Sequence, residues 1–248
     1  MERWEGRVAL VTGATSGIGT AIAVELVKRK MKVIGCGRQI SKLQVVANQL
    51  SEKYEGHLEP VQCDVRKESD INNMFNLIES KYGGLDVCIN NAGLYKDAPL
   101  LSGSTECWRE IMEESGIKVS SALNTHSETR YWLTPKRPKR AVYTDSDLIR
   151  FTYPLFSILR RHCCDKRLSG HRLPTTNIAF YPATKFAVRT LTEGIRVELR
   201  QKKSKIRIAE ISPDVVETEI FSRGGGKEFS DKILNSLKVS NSVDMSFF

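Results

Sequence analysis

Short apolar runs alternate with amphipathic stretches along the N-terminal part of the chain. Val8 to Val11 is continuously apolar, as expected for a strand covered on both faces. Ile18, Ile22 and Leu26 then recur at four-residue spacing before the polar Lys28-Arg29-Lys30, which predicts a helix opening at a glycine-rich turn. Lys32 to Cys36 predicts a second strand, and Ser41 to Tyr54 a helix with Leu43, Val46, Ala47 and Leu50 on one face. Leu58 to Cys63 predicts a third strand. A further helix is expected over Ser69 to Tyr82, with Ile71, Phe75 and Ile78 facing inward and Gly83-Gly84 closing it. Leu85 to Ile89 follows as strand four, and much later a helix over Thr184 to Arg200 precedes a strand over Ile206 to Ile211. Strand and helix in alternation imply an α/β, doubly wound parallel sheet with helices on both faces.

From about residue 114 to 168 this rhythm fails. The stretch holds Pro135, Pro138, Pro154 and the run Lys136-Arg137-Pro138-Lys139-Arg140, with one compact apolar group at Leu155 to Leu159. The end is similarly weak: Gly224-Gly225-Gly226, a short helical pattern near Phe229 to Leu237, then a polar tail.

A length of 248 residues and 40% hydrophobic content suit one domain spanning residues 1–248. No run of 18 apolar residues and no signal-peptide pattern occurs, so a soluble protein is expected, without a membrane partner. The six cysteines, Cys36, Cys63, Cys88, Cys107, Cys163 and Cys164, form no CxxC pair and carry no histidine at ligand spacing, which argues against a metal site. They suit a reducing, cytoplasmic setting. The net charge of +9 invites a nucleic-acid reading, but 11 Lys/Arg against three Asp/Glu between Arg130 and Arg172 account for eight of the nine. Without interleaved aromatics, such a run reads as a solvated loop, and no nucleic-acid partner is expected.

The chemistry begins at Thr12-Gly13-Ala14-Thr15-Ser16-Gly17-Ile18-Gly19, where glycines spaced G-x3-G-x-G run from a strand into a helix. Glycine lets the backbone turn tightly and approach a pyrophosphate, and the open N–H groups of the helix start supply an anion site. A Rossmann-like dinucleotide site follows. At the end of strand two stand Gly37 and Arg38 rather than an acid. An acid there would bond the 2′-hydroxyl of NAD, whereas a guanidinium pairs with the 2′-phosphate, so NADP(H) is favoured.

Together with Asp64-Val65 after strand three, Asn90-Asn91-Ala92-Gly93 after strand four and Tyr181-x3-Lys185 in a later helix, this turn resembles the short-chain dehydrogenase/reductase family. Met1-Glu2-Arg3-Trp4, Leu100 to Thr105 and Ser169-Gly170-His171-Arg172 are similar to its branch of farnesol dehydrogenase-like and member-eleven-type carbonyl reductases. The resemblance covers about residues 1–112 and 169–221. It implies that Gly13, Ser16, Gly17, Ile18 and Gly19 cradle the cofactor phosphates, that Arg38 meets the 2′-phosphate, that Asp64 and Val65 border the adenine, and that Asn91 borders the ribose. It further implies Tyr181 as general acid/base, Ser169 holding the substrate oxygen, and Val216 and Thr218 on the nicotinamide carboxamide or phosphate.

Chemistry gives its own reason for the last motif. Hydride transfer to a carbonyl leaves an alkoxide needing a proton, and a phenol of pKa about 10 donates and accepts poorly unless its anion is stabilised. Lys185, four residues after Tyr181, shares its helix face, where the ammonium lowers the phenol's pKa and can also serve the cofactor.

Several features depart from the family pattern. No convincing Asn stands near Ser115, Asn124 being the nearest candidate for the proton-relay position. The residues before Ser169, Arg160 to Leu168, carry too many charges for the buried fifth strand that should deliver that serine. If Leu155 to Leu159 is that strand, Ser169 lies well beyond it. Pro213-Asp214 replaces the family's Pro-Gly, and the chain ends about one strand short of the family sheet. The abrupt loss of pattern and its return at Ser169 favour a shifted reading frame or retained intron over a surface insertion.

Two functions therefore compete. One is an NADP(H)-dependent oxidoreductase for a small apolar alcohol or carbonyl, and the other a cofactor-binding relative with impaired or no catalysis. Substrate identity and homo-oligomer formation stay open, because the segments that would set them are the atypical ones.

Overall fold

A computed structural model describes residues 4–114, 140–144, 180–204, 206–211 and 218–236. Their elements run β1 (Val8–Thr12), α1 (Gly17–Lys28), β2 (Lys32–Gly37), α2 (Ile40–Ser51), β3 (His57–Gln62), α3 (Glu68–Tyr82) and β4 (Val87–Asn90). After these come α4 (Thr105–Glu114), β5 (Arg140–Thr144), α5 (Phe180–Gln201), β6 (Arg207–Ile211) and α6 (Glu219–Ser236). The strands form one sheet in the order β3-β2-β1-β4-β5-β6, with every neighbouring pair parallel.

The two-sided burial of this sheet follows from alternation within β1. Ala9 and Val11 face one layer, with Ile22, Ala23, Leu26 and Val27 of α1 and Leu43, Ala47 and Leu50 of α2. Val8 and Leu10 face the other, with Ile71, Met74, Phe75 and Ile78 of α3. All five residues of β1 are buried, which explains the apolar run Val8 to Val11. Asp86, just before β4, ties the strand starts together: its Oδ2 accepts from the Val8 N–H at 3.0 Å, and Arg7 lies 3.5 Å from Oδ1.

Gly83 ends α3 in the left-handed conformation at φ 69°, as its sequence position predicts. Two elements differ from expectation. The fifth strand is Arg140–Thr144, inside the segment whose pattern predicts nothing regular, and it pairs on both sides, with β4 and β6. Leu155 to Leu159, the apolar group considered for that strand, lies outside the described residues. α6 is two helical stretches that meet at Gly226, which is not helical at φ 83° and ψ 172°, so the expected glycine break before a short helix is present and the helical stretch before it is the addition. Glycine adopts that angle without strain, which lets the chain break between the two stretches.

Candidate functional site

The strand order reverses between β1 and β4, and a crevice at the carboxyl ends of a parallel sheet at such a point is where ligands bind. One cleft lies there. Its floor is the turn between β1 and α1. Gly13 sits at φ +65°, and a Cβ on it would come within 2.9 Å of the Ala92 Cα. A Cβ on Gly19 would stand 2.3 Å from the Gly13 carbonyl oxygen. Ser16, the extended residue before α1, makes no side-chain capping bond, so the first N–H groups of α1 are left for a ligand acceptor.

A hydrogen-bond clasp holds this turn against β4. The Thr12 hydroxyl oxygen accepts from the N–H groups of Asn91 and Ala92, both at 3.0 Å. In return Asn91 Nδ2 donates to the carbonyls of Thr12 at 3.0 Å and Gly13 at 3.3 Å. Asn91 Oδ1 is buried with no partner. A cradle with no room for side-chain carbons and an unmatched acceptor on its wall fit a phosphate-bearing ribosyl ligand that donates hydroxyls.

At the other end of the cleft, Arg38 follows Gly37 with its side chain half exposed, and its Nη2 lies 2.9 Å from Glu114 Oε1. Asp64 is spent on Arg66, which donates from Nε to Oδ1 at 2.9 Å and from Nη2 to Oδ2 at 2.7 Å. The Arg66 guanidinium holds the Asp64 carboxyl down to about 2. Burial pushes the Glu114 carboxyl up, against the pull of Arg38 and Arg66.

Tyr181 and Lys185 lie one turn apart on α5, both buried, with Lys185 Nζ 4.9 Å from the Tyr181 ring centroid. Tyr181 also meets Tyr95 edge-on, with centroids 5.4 Å apart. Burial lowers the Lys185 amine to about 7.

Of the residues expected from the sequence, Gly13, Ser16, Gly17, Ile18, Arg38, Asp64, Val65, Asn91 and Thr218 line one cleft. Gly19 supports it from behind, while Tyr181 and Lys185 are not part of this wall. Ser169 and Val216 lie outside the described residues, as do Ser115, Asn124 and Asp214. The wall also holds residues that the sequence did not single out as site residues, among them Thr15, Leu94, Glu114, Ile220 and Arg223. Thr15 could have been found, because it stands inside the glycine motif and a Cβ on Gly37 would meet it at 2.5 Å. Glu114 and Arg223 carry no local signal, since each reaches the cleft only through the packing of a helix. Among the described residues, Cys36, Cys63 and Cys88 are buried free thiols, and no group of His, Cys, Asp or Glu could hold a metal.

A parallel doubly wound sheet with a glycine cradle at its switch point defines a dinucleotide-binding protein, and this chain belongs to the short chain dehydrogenase family, which it matches over residues 7–129 and 169–227. It is thus an oxidoreductase of that family. It is 41% identical over 220 residues to dehydrogenase/reductase SDR family member 11 of Gallus gallus, covering 88% of this chain and 78% of that one. It is 36% identical over 225 residues to farnesol dehydrogenase of Aedes aegypti, covering 89% and 82%. The fold is similar to a short chain dehydrogenase/reductase from Burkholderia phymatum in complex with NAD, at TM-score 0.73 and 21% identity over 90% of this chain and 70% of the other. The family match leaves out residues 130–168, where the basic charge is concentrated and where β5 lies.

Proposed function

We propose that this chain is a cytoplasmic, NADP(H)-dependent oxidoreductase that interconverts an alcohol and a carbonyl on a small apolar substrate, with Tyr181 as acid/base. The carrying observation is that the glycine turn and Arg38 open onto the same cleft, while β2 ends without an acid. A guanidinium at that place offers paired charged bonds to a 2′-phosphate. The bound NADPH supplies the hydride. Gly13, Ser16, Gly17, Ile18 and Gly19 receive its phosphates, Asp64 and Val65 border the adenine, Asn91 borders the ribose, and Val216 and Thr218 serve the nicotinamide end.

In this reading the Tyr181 hydroxyl hands its proton to the substrate alkoxide as the carbonyl is reduced, and takes it back in the reverse direction. Lys185, whose Nζ lies 4.9 Å from the Tyr181 ring centroid, favours the phenolate when it is protonated, and Ser169 holds the substrate oxygen. The similarity to a farnesol dehydrogenase supports an isoprenoid-like alcohol as the substrate class. Buried free thiols at Cys36, Cys63 and Cys88 support the reducing compartment.

The test is NADPH consumption with a panel of apolar aldehydes and ketones. Turnover that Tyr181→Phe removes while NADPH still binds supports the proposal; a folded protein that consumes no NADPH with any of them contradicts it. A second reading, a cofactor binder without catalysis, is favoured by the burial of Tyr181 edge-on against Tyr95. That reading predicts tight NADPH binding with no turnover, unchanged in Tyr181→Phe. The proposed single domain interrupted by a frame-shifted segment is checked in the coding DNA across Glu113 to Ser169.

A further inference from the structure

We infer that Glu114 limits the preference of this chain for NADP(H) over NAD(H): α4 delivers its carboxylate to the adenosine end of the cleft, where it pairs with Arg38 and opposes the 2′-phosphate that Arg38 would receive. The inference rests on the dinucleotide reading of the cleft given above. The end of β2 lacks the acid that would receive a ribose 2′-hydroxyl, yet the cleft does not lack an acid, because Glu114 supplies one from a different element.

Three observations carry it. Glu114 and Arg38 both line the cleft, and Arg38 Nη2 is 2.9 Å from Glu114 Oε1. The Glu114 side chain is only 9% exposed, and its Oε2 is buried with no hydrogen-bond partner. Arg66, the next cation, gives Nε and Nη2 to Asp64 and acts on Glu114 through its charge, which leaves the 2.9 Å contact to Arg38 as the ion pair of Glu114 at this end of the cleft.

A buried carboxylate oxygen without a donor has an unmet requirement, and a hydroxyl meets it. The 2′-hydroxyl of NAD(H) can donate to Oε2 while Arg38 keeps its ion pair. The 2′-phosphate of NADP(H) has no proton to give when fully ionised and brings close to two negative charges beside a carboxylate in a poorly solvated place. Arg38 attracts that phosphate and Glu114 repels it, so the native chain keeps a preference for NADP(H) that is smaller than Arg38 alone would give.

Calorimetric titration tests this with NADPH, NADH, adenosine 2′,5′-bisphosphate and ADP, on the native chain, Glu114→Gln, Glu114→Leu and Arg38→Gln. The native chain is expected to bind NADPH within about 10-fold of NADH, and Glu114→Gln to raise that ratio by about 10-fold, through tighter NADPH and weaker NADH. Glu114→Leu should do the same, and Arg38→Gln the opposite. The bisphosphate and ADP should repeat the pattern without the nicotinamide. If both Glu114 variants bind with the native ratio while Arg38→Gln lowers it, Glu114 has no such role and the NADP(H) reading survives. If the native chain binds the bisphosphate more than about 1,000-fold tighter than ADP, the inference is overturned even if the variants do not fold. If it binds none of the four, the reading of the cleft fails and Glu114's role with it.

Discussion

A methyl group on Gly19 would stand 2.3 Å from the carbonyl oxygen of Gly13, and neither backbone can yield without opening the turn. Gly19→Ala is therefore expected to destabilise the fold by about 1–3 kcal/mol and to weaken dinucleotide binding at least 10-fold, read by thermal melts and by titration. Lys185 carries a second prediction, with a sign fixed by burial. Its amine falls from 10.5 to about 7 on folding, so between those values the unfolded chain holds a proton that the folded chain lacks. Stability should then rise with pH across that window, and the full cost of charging the buried amine is present below about pH 7. At about 1.4 kcal/mol per unit, Lys185→Met should stabilise the cofactor-free protein near pH 7 by a few kcal/mol and flatten the pH slope in denaturant melts. Residues were legible in the sequence where several acted in one short motif, as Gly13, Ser16 and Gly17 do. Glu114 was not, because nothing in the residues around it says that the end of α4 turns toward Arg38.

Elements were legible where both faces of a strand or one face of a helix were filled in order. β1, α1, β2, α3 and α5 stand within a few residues of their expected places, since Val8 to Val11 or the Ile71, Phe75, Ile78 row leaves no other arrangement that buries them. β5 was hidden because Arg140–Thr144 follows a run of basic residues and proline, and only its pairing with β4 and β6 reveals it. The break at Gly226 in α6 was legible in three glycines in a row, whereas the helical stretch before it has no apolar row to announce it. At this scale Asp86 is the decisive side chain. It receives the N–H that begins β1 from the residue that precedes β4, and it is buried. Asp86→Ala leaves that donor unmatched and should cost about 1–3 kcal/mol, measured by urea unfolding with an unchanged m-value.

Over the whole molecule, the sheet order that places β1 beside β4 creates the cleft, and an apolar layer packs on either side of β1. Alternating strands and helices gave this architecture away in the sequence, whereas the positions of Tyr181 and Lys185 relative to the cleft depend on how α5 packs and could not be read from spacing alone. No helix among the described residues is long and apolar enough to cross a membrane. A ligand that binds only the folded state stabilises it by about 2.7 kcal/mol at 100 times its dissociation constant, which for a chain of this size raises the melting temperature by roughly 5–10 °C. Everything proposed for this protein depends on the cleft taking a pyridine dinucleotide. The most direct measurement is therefore isothermal titration of the folded protein with NADPH and, separately, NADH: saturable one-to-one binding of NADPH is the predicted result, and no heat or melting shift with either nucleotide would contradict the account.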